Sequence, residues 1–344
     1  MLHLGRCTGG LAVVLGLSHW GGISLVTAQS RRDADPTPAK TLVVNGVPRT
    51  YRIAVPPRRA GGRSPLLIAL HGGGGTGAGM ERLTRLSDLA NQAGVIVVYP
   101  DGWNRHWHDR RNPRFVPEPG VQDVPFINQL IDEVHRTYTL DQQRIYVTGI
   151  SNGGFFAQVL ACELSHRLAA VAVVSSNLPQ GLAENCPATQ SVPILYILGT
   201  NDPLIPYAGG EIRGKQGRKG VVYSAQASLD FWRQRYRLPA TPQVQALPDR
   251  VNDQTSAQQI TYQNRAVAVS LITIQGGGHT WPGGPQYLPQ RFIGRVSQDF
   301  DASATIWQFV RRYRRNPSSP GANQSWGLRN SSVNSASGVP GTGV

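Results

Sequence analysis

Cysteine is nearly absent from this chain: three occur in 344 residues, far too few for a disulfide-dense scaffold. Acidic residues are scarce as well, 20 against 34 lysines and arginines, which leaves a net charge of +14. After residue 28 no stretch is apolar and long enough to cross a bilayer, so no stable membrane insertion of the mature chain is expected. No internal repeat is evident, which argues against a solenoid or propeller. The pattern G-x-x-x-x-G-K-[ST] is missing, so the glycine run at 72–75 does not read as a nucleotide phosphate loop. The arginines carry no recognition motif and are not interleaved with aromatics, so nucleic acid is not the expected partner. His106 and His108 lack an evident third ligand, so no metal, and no other cofactor, is expected.

What is present has an ordinary globular balance, 40% hydrophobic and 16% charged. Arg6 is the only charge before a largely apolar stretch from Leu11 to Val26, and Val26-Thr27-Ala28 supplies small residues for cleavage after Ala28. Residues 1–28 therefore read as a signal peptide for export to the periplasm or the exterior. An uncleaved anchor is the competing reading, weakened by Ser18, His19, Gly21 and Gly22. Cys7 would leave with the signal, and Cys162 and Cys186 would remain as a pair in an oxidising compartment. A disulfide is the favoured reading and two separate buried thiols the alternative. Removing Arg6 leaves a charge of +13 (14 minus 1), with basic clusters at Arg110-Arg111-Arg114, Arg213-Lys215-Arg218-Lys219 and Arg311-Arg312-Arg314-Arg315. Such a field suits an acidic polymer, although most of these groups read as solvated surface, and the last cluster suits a helix C-terminus.

Residues 29–40 are polar and read as a flexible leader. Thr41 to Val55 reads as a hairpin turning at Asn45-Gly46, which accept the positive φ of a tight turn. Short β-branched runs follow at Leu66–Leu70, Val95–Tyr99, Ile145–Thr148, Ala169–Val174 and Ile194–Leu198. Continuous apolar runs of this length suit strands covered on both faces. Helical spacing lies between them, after Asp123 as N-cap, and again at Ala225–Tyr236 and Ala302–Tyr313. Alternating strands and helices predict one α/β domain over residues 41–315, a mostly parallel, doubly wound sheet with an N-terminal hairpin. The Ser/Gly/Asn-rich stretch 316–344 reads as a disordered tail.

Gly149-Ile150-Ser151-Asn152-Gly153 fits G-x-S-x-G, with an apolar strand before it and a helix after it. A strand-to-helix turn this sharp has no space for side chains two positions either side of the serine, and it exposes the hydroxyl at a helix N-terminus, where the dipole favours negative charge. A serine needs a base, and the base needs an orienting acid. In the α/β-hydrolase fold these follow in the order serine, acid, histidine. Asp202, in Gly199-Thr200-Asn201-Asp202-Pro203, sits just past a strand, with Asp230 and Asp299 as weaker rivals. His279 lies in a glycine-rich loop after the strand at Leu271–Gln275, whereas His135 and His166 look like bystanders. The oxyanion donors expected are the backbone N–H groups of Asn152 and of Gly73, in Leu70-His71-Gly72-Gly73-Gly74-Gly75.

These motifs resemble a family of secreted esterases that groups polyhydroxybutyrate depolymerases with feruloyl and acetylxylan esterases. The likeness is carried by Arg49-Thr50-Tyr51, Leu70 to Gly74, Tyr99-Pro100-Asp101-Gly102, Trp107, Asp123-Val124, Tyr146 to Gly154, Gly199 to Pro203 and Gly278-His279-Thr280-Trp281-Pro282. It runs from about Leu42 to Arg312. The resemblance implies Ser151, Asp202 and His279 as triad, Gly73 with Asn152 as oxyanion hole, and ester hydrolysis through an acyl-enzyme. Gly73 stands where many polyester depolymerases carry cysteine, and no separate substrate-binding domain is evident. Both departures favour an ester linked to polysaccharide over crystalline polyester. Trp281, Trp107 and Trp103 are the aromatics expected to line an acyl pocket, with simple packing of the loops as the alternative. The competing functional classes are a catalytically silent polysaccharide-binding homologue and a secreted serine peptidase.

Overall fold

In the computed structural model, Asn45 and Gly46 both adopt positive φ, 50° and 80°, and join β1 (Ala39–Val44) to β2 (Val47–Ala54) in the tight hairpin that the sequence predicts. The structure describes residues 36–57, 62–111, 120–214 and 217–315, with no side chains described for 213–218. The expected signal peptide (residues 1–28), residues 29–35 of the expected leader, the expected tail from 316, Arg114 and Lys215 lie outside the described residues. The described end of the leader is tied down rather than free. Thr37 donates through its N–H and Oγ1 to Glu81, and Arg52 donates to the Thr37 carbonyl.

After the hairpin come β3 (Ser64–Leu70), α1 (Gly77–Thr84), α2 (Leu86–Ala93), β4 (Ile96–Pro100) and α3 (Asp123–Thr137). Next are β5 (Leu140–Ile150), α4 (Asn152–Glu163), β6 (Ala170–Val174), α5 (Gln180–Glu184) and β7 (Ile194–Gly199). A small hairpin, β8 (Gly210–Gly214) and β9 (Gly217–Val222), precedes α6 (Ala225–Arg235). The chain continues through β10 (Gln243–Ala246), β11 (Ser256–Gln263), β12 (Ala268–Gln275), α7 (Gln290–Ile293) and α8 (Ala302–Val310). The main sheet runs β1-β2-β4-β3-β5-β6-β7-β12-β11-β10. Its centre from β4 to β12 is parallel, and antiparallel strands flank it on both sides. This is the doubly wound α/β sheet read from the sequence.

Each predicted core strand coincides with one of β3 to β7, Val95 and Ala169 alone falling one residue outside, because a parallel strand buried on both faces has no polar phase to obscure it. The pleat divides the core. Leu66, Ile68 and Val147 face a layer with residues of α3, α4 and α6, while Leu67, Ala69 and Tyr146 face one with residues of α1, α2 and α8. Fully burying each leucine, isoleucine or valine among these stabilises the fold by roughly 1.5–3 kcal/mol. α4 is buried from Asn152 to Cys162, so it lies wedged between sheet and neighbours rather than showing an amphipathic face. Cys162 at its end is disulfide-bonded to Cys186.

Two expectations change. Asp123 is the first residue of α3 rather than its N-cap, and its carboxylate instead meets Arg49 at 2.7 Å, with both side chains at most 3% exposed. The predicted last helix stops at Val310, three residues early. The basic cluster at 110–111 is partly consumed internally: Arg110 pairs with Glu163, and Arg111 pairs with Asp109 while lying over the Phe155 ring.

Candidate active site

Ser151 is held at φ 57° and ψ −123°, a backbone conformation that L-residues rarely adopt, between the end of β5 and the start of α4. Strain of this kind persists only where the surroundings fix it. Here Ser151 N–H donates to Val174 O (3.0 Å), and Ser151 O accepts from Phe155 N (2.9 Å) and Ser176 Oγ (2.7 Å). The flanking glycines are required. A Cβ on Gly149 would strike the Gly153 carbonyl, and a Cβ on Gly153 would strike the carbonyls of Leu70 and His71.

Asp202 follows the end of β7 and His279 follows β12, strands that pair in parallel, so their C-terminal ends share one sheet edge. Asp202 Oδ1 accepts from the N–H groups of Leu204 and Ile205, both at 2.8 Å, and its Oδ2 lies 2.7 Å from His279 Nδ1. Both side chains are at most 4% exposed. A carboxylate at Nδ1 fixes the proton there and leaves Nε2 as the free base. The imidazole is steadied further by its own backbone, with His279 N–H on Ile293 O and Tyr287 OH on His279 O (2.7 Å). Burial and the Asp202 charge hold the Tyr287 phenol well above its ordinary range, so it stays a neutral donor. The serine end is less closed: among the described residues no hydrogen bond joins Ser151 Oγ to His279. The two loops do meet nearby, since Ser175, next to the Val174 that receives Ser151 N–H, reaches Thr280 O at 3.3 Å. Catalytic hydrogen bonds often tighten only with substrate in place. Neither rival acid faces the imidazole: Asp230 pairs with Arg233 on α6, and Asp299 accepts from the N–H groups of Arg250 and Val251.

The two expected oxyanion donors adjoin. A Cβ built on Gly73 would come within 3.5 Å of Asn152 Cβ and 3.2 Å of the His106 ring, so glycine here lets the loop pass between them. What joins the two halves is the segment after β4, residues 102–109, which sequence reasoning did not assign as a support. Asn152 Oδ1 accepts from Trp107 N–H (2.7 Å), and its Nδ2 donates to Trp107 O (2.9 Å) and Asp109 Oδ2 (2.6 Å). Trp107 Nε1 donates to His71 O (3.0 Å), and Arg105 O accepts from Gly74 N–H (2.8 Å). His71 is locked below. Gly102 N–H donates to its Nε2 (2.9 Å), so Nδ1 carries the proton and donates to Gly72 O (2.7 Å), and burial pushes this histidine below its ordinary pKa.

The tryptophans divide differently from expectation. Trp281 is 1% exposed, lies in the core beside α8 and donates to Ser303 Oγ. Trp107 is 3% exposed and stacks on Phe156 with ring centroids 5.1 Å apart. Neither offers a face to an acyl group; both pack the scaffold. Trp103 alone stays partly exposed, with a buried Nε1 that has no partner among the described residues.

Comparison with known proteins agrees with this architecture. Residues 49–205 match the family model described as Esterase PHB depolymerase. Over 290 residues the chain is 33% identical to "Putative esterase NocK" of Nocardia uniformis subsp. tsuyamanensis, covering 80% of this chain and 82% of that one. It is 26% identical over 220 residues to the "Bifunctional acetylxylan esterase/xylanase XynS20E" of Neocallimastix patriciarum, covering 63% of this chain but only 29% of that protein. Among solved structures, an acetyl xylan esterase from Aspergillus awamori superposes with a TM-score of 0.52 at 16% identity, over 71% of this chain and 94% of that one, a likeness of fold.

Proposed function

The chain belongs to the PHB depolymerase esterase family, and from that premise we propose that it hydrolyses carboxylic esters by a serine mechanism, with Ser151 as nucleophile, His279 as general base and Asp202 as orienting acid. The observation that carries the reading is the buried 2.7 Å contact between Asp202 and His279, at the same sheet edge as a serine in strained backbone. In the first step His279 Nε2 takes the Ser151 proton as Oγ bonds to the ester carbonyl carbon. The carbonyl oxygen becomes an oxyanion facing the N–H groups of Gly73 and Asn152, donors worth about 3 kcal/mol each in such sites. The C–O bond to the alcohol then breaks, and the alcohol leaves with the proton held by His279. Water, deprotonated by the same imidazole, cleaves the acyl-enzyme and restores the serine.

The substrate class we propose is an acetyl or feruloyl ester carried on plant polysaccharide, with a polyhydroxyalkanoate ester as the second choice. Glycine at position 73 and the acetylxylan activity in the name of one relative support the order. Export by residues 1–28 belongs to the same reading, and the Cys162–Cys186 disulfide supports it, because such bonds persist in oxidising compartments. The deciding measurement is hydrolysis of p-nitrophenyl acetate by the Ser151→Ala variant. Turnover is expected to fall by at least about 10³-fold; undiminished turnover refutes the assignment. A panel of methyl ferulate, acetylated xylan and polyhydroxybutyrate then ranks the substrates.

A further inference from the structure

The outer strands of the sheet carry a pattern that catalysis does not use. Pairing registers place Gln245, Gln259 and Ile272 in one row across β10, β11 and β12, and Gln243, Thr261 and Ser270 in the next. Directly opposed residues share a face. On this face the first row ends inward on Ile272 and the second continues through Ser270 to Leu195 of β7, both aliphatic and in the layer that holds α8, whereas the outer two strands carry mostly amides. Where α8 stops short of the edge it leaves a half-open groove of about 260 Å³, walled on the helix side by Gln308 and Arg312. Ser270 and Ile272 are the third and fifth of the eight residues of β12, while His279 lies four residues beyond its last, and none of the groove's lining residues is Ser151, Asp202 or His279, so the groove is separate from the candidate active site.

Antiparallel faces that meet water are commonly polar, and exposed edges are commonly blunted by lysine or another charge. β10 and β11 contain no charged residue at all, in a chain with 34 lysines and arginines, and among the described residues Arg312 is the one charged side chain lining the groove. Arg312 is turned to Phe309 and Tyr313, over whose rings its guanidinium lies. Some amides are engaged locally, Gln263 with Gln243 and Gln259 with Thr261. The side chains of Gln245 and Gln308 have no hydrogen-bond partner among the described residues, and both are exposed. An array of neutral amides, each both donor and acceptor, is matched by a ligand that is itself neutral and dense in groups that donate and accept. Among the described residues an acidic polymer or a phosphate would find a single charge partner in this groove, the exposed Arg312, against a majority of neutral amides and hydroxyls.

We infer that this amide-paved groove binds a neutral polysaccharide chain and holds it while an ester elsewhere on the polymer reaches Ser151. The ligand class rests on the polysaccharide-ester reading above, but the binding does not require the serine chemistry. Two contacts on one polymer raise the effective concentration of ester at the second site. The test is co-sedimentation of the full chain with water-insoluble neutral arabinoxylan, in about 0.5 M NaCl so that the basic surface is screened. It is run in the Ser151→Ala background, with and without the double change Gln245→Ala and Gln308→Ala. Retention is expected in the parent and a roughly tenfold weaker binding in the double variant. With Ser151 intact, the double variant should hydrolyse p-nitrophenyl acetate at the parent rate, which verifies folding. No retention of the parent, or equal retention of both, overturns the groove. Binding and small-ester hydrolysis are read separately, so loss of one proposal leaves the other standing.

Discussion

The side-chain amide of Asn152 brackets the backbone of Trp107, accepting from its N–H at 2.7 Å and donating to its carbonyl at 2.9 Å. The residue whose own N–H is the proposed oxyanion donor thereby fixes the loop that supports the other donor. Asn152→Ala keeps that N–H but releases the loop and leaves Asp109 to Arg111 alone. A misplacement near 1 Å can cost about 10²-fold, so kcat for p-nitrophenyl acetate should fall 10- to 100-fold, about that range, with KM changing far less. An unchanged kcat would remove the clamp from catalysis.

Asp202→Asn retains the shape of the acid and loses its charge, so the imidazole can adopt the wrong tautomer. Steady-state kinetics should show kcat reduced by about 10³- to 10⁴-fold, with the melting temperature little altered. A loss under tenfold would point to another acid.

Arg49 and Asp123 form a buried ion pair, and Arg49 also lies over the Phe126 ring and donates to Asp101 O. Arg49→Met leaves a carboxylate buried without its partner, a change expected to destabilise by about 3–5 kcal/mol in chemical denaturation. Adding Asp123→Asn should recover part of that loss. Additive effects of the two changes would mean that the pair is not coupled.

Stability should also respond to acid through His71, whose folded pKa lies below its ordinary value because burial disfavours the cation. A depressed pKa means that the unfolded chain takes up the proton first. The contribution is therefore complete above the ordinary histidine value of about 6.5 and is lost as pH falls through that value toward the folded one. Thermal melts between about pH 7 and 5 should show a steeper fall for the parent than for His71→Gln. Parallel slopes would rule His71 out as the source.

The fold was legible wherever a physical requirement is local. Runs such as Leu66–Leu70 name buried strands by composition, and Asn45-Gly46 names its hairpin by the φ it accepts. The edge strands β10 and β11 carried too little apolar signal to be read, and α1 and α2 are eight residues each, too short for a clear period. Contacts distant in sequence were not legible. Asp123 suits a helix N-cap as well as an ion pair, and only Arg49, 74 residues away, decides between them. Trp281 stands two positions after His279, yet adjacency says nothing of direction, and its indole points into the core at Ser303.

The amino-acid order by itself determined the elbow at Ser151, because glycine is obligatory where a side chain would strike backbone two residues away, and it put Ser151, Asp202 and His279, the proposed triad, in that succession along one mostly parallel sheet. Only the tertiary structure decided which groups hold those residues in place. The Asn152–Trp107–Asp109 clamp and the burial of two tryptophans depend on side chains meeting across tens of residues, and packing, unlike local backbone sterics, leaves no periodic trace in the chain.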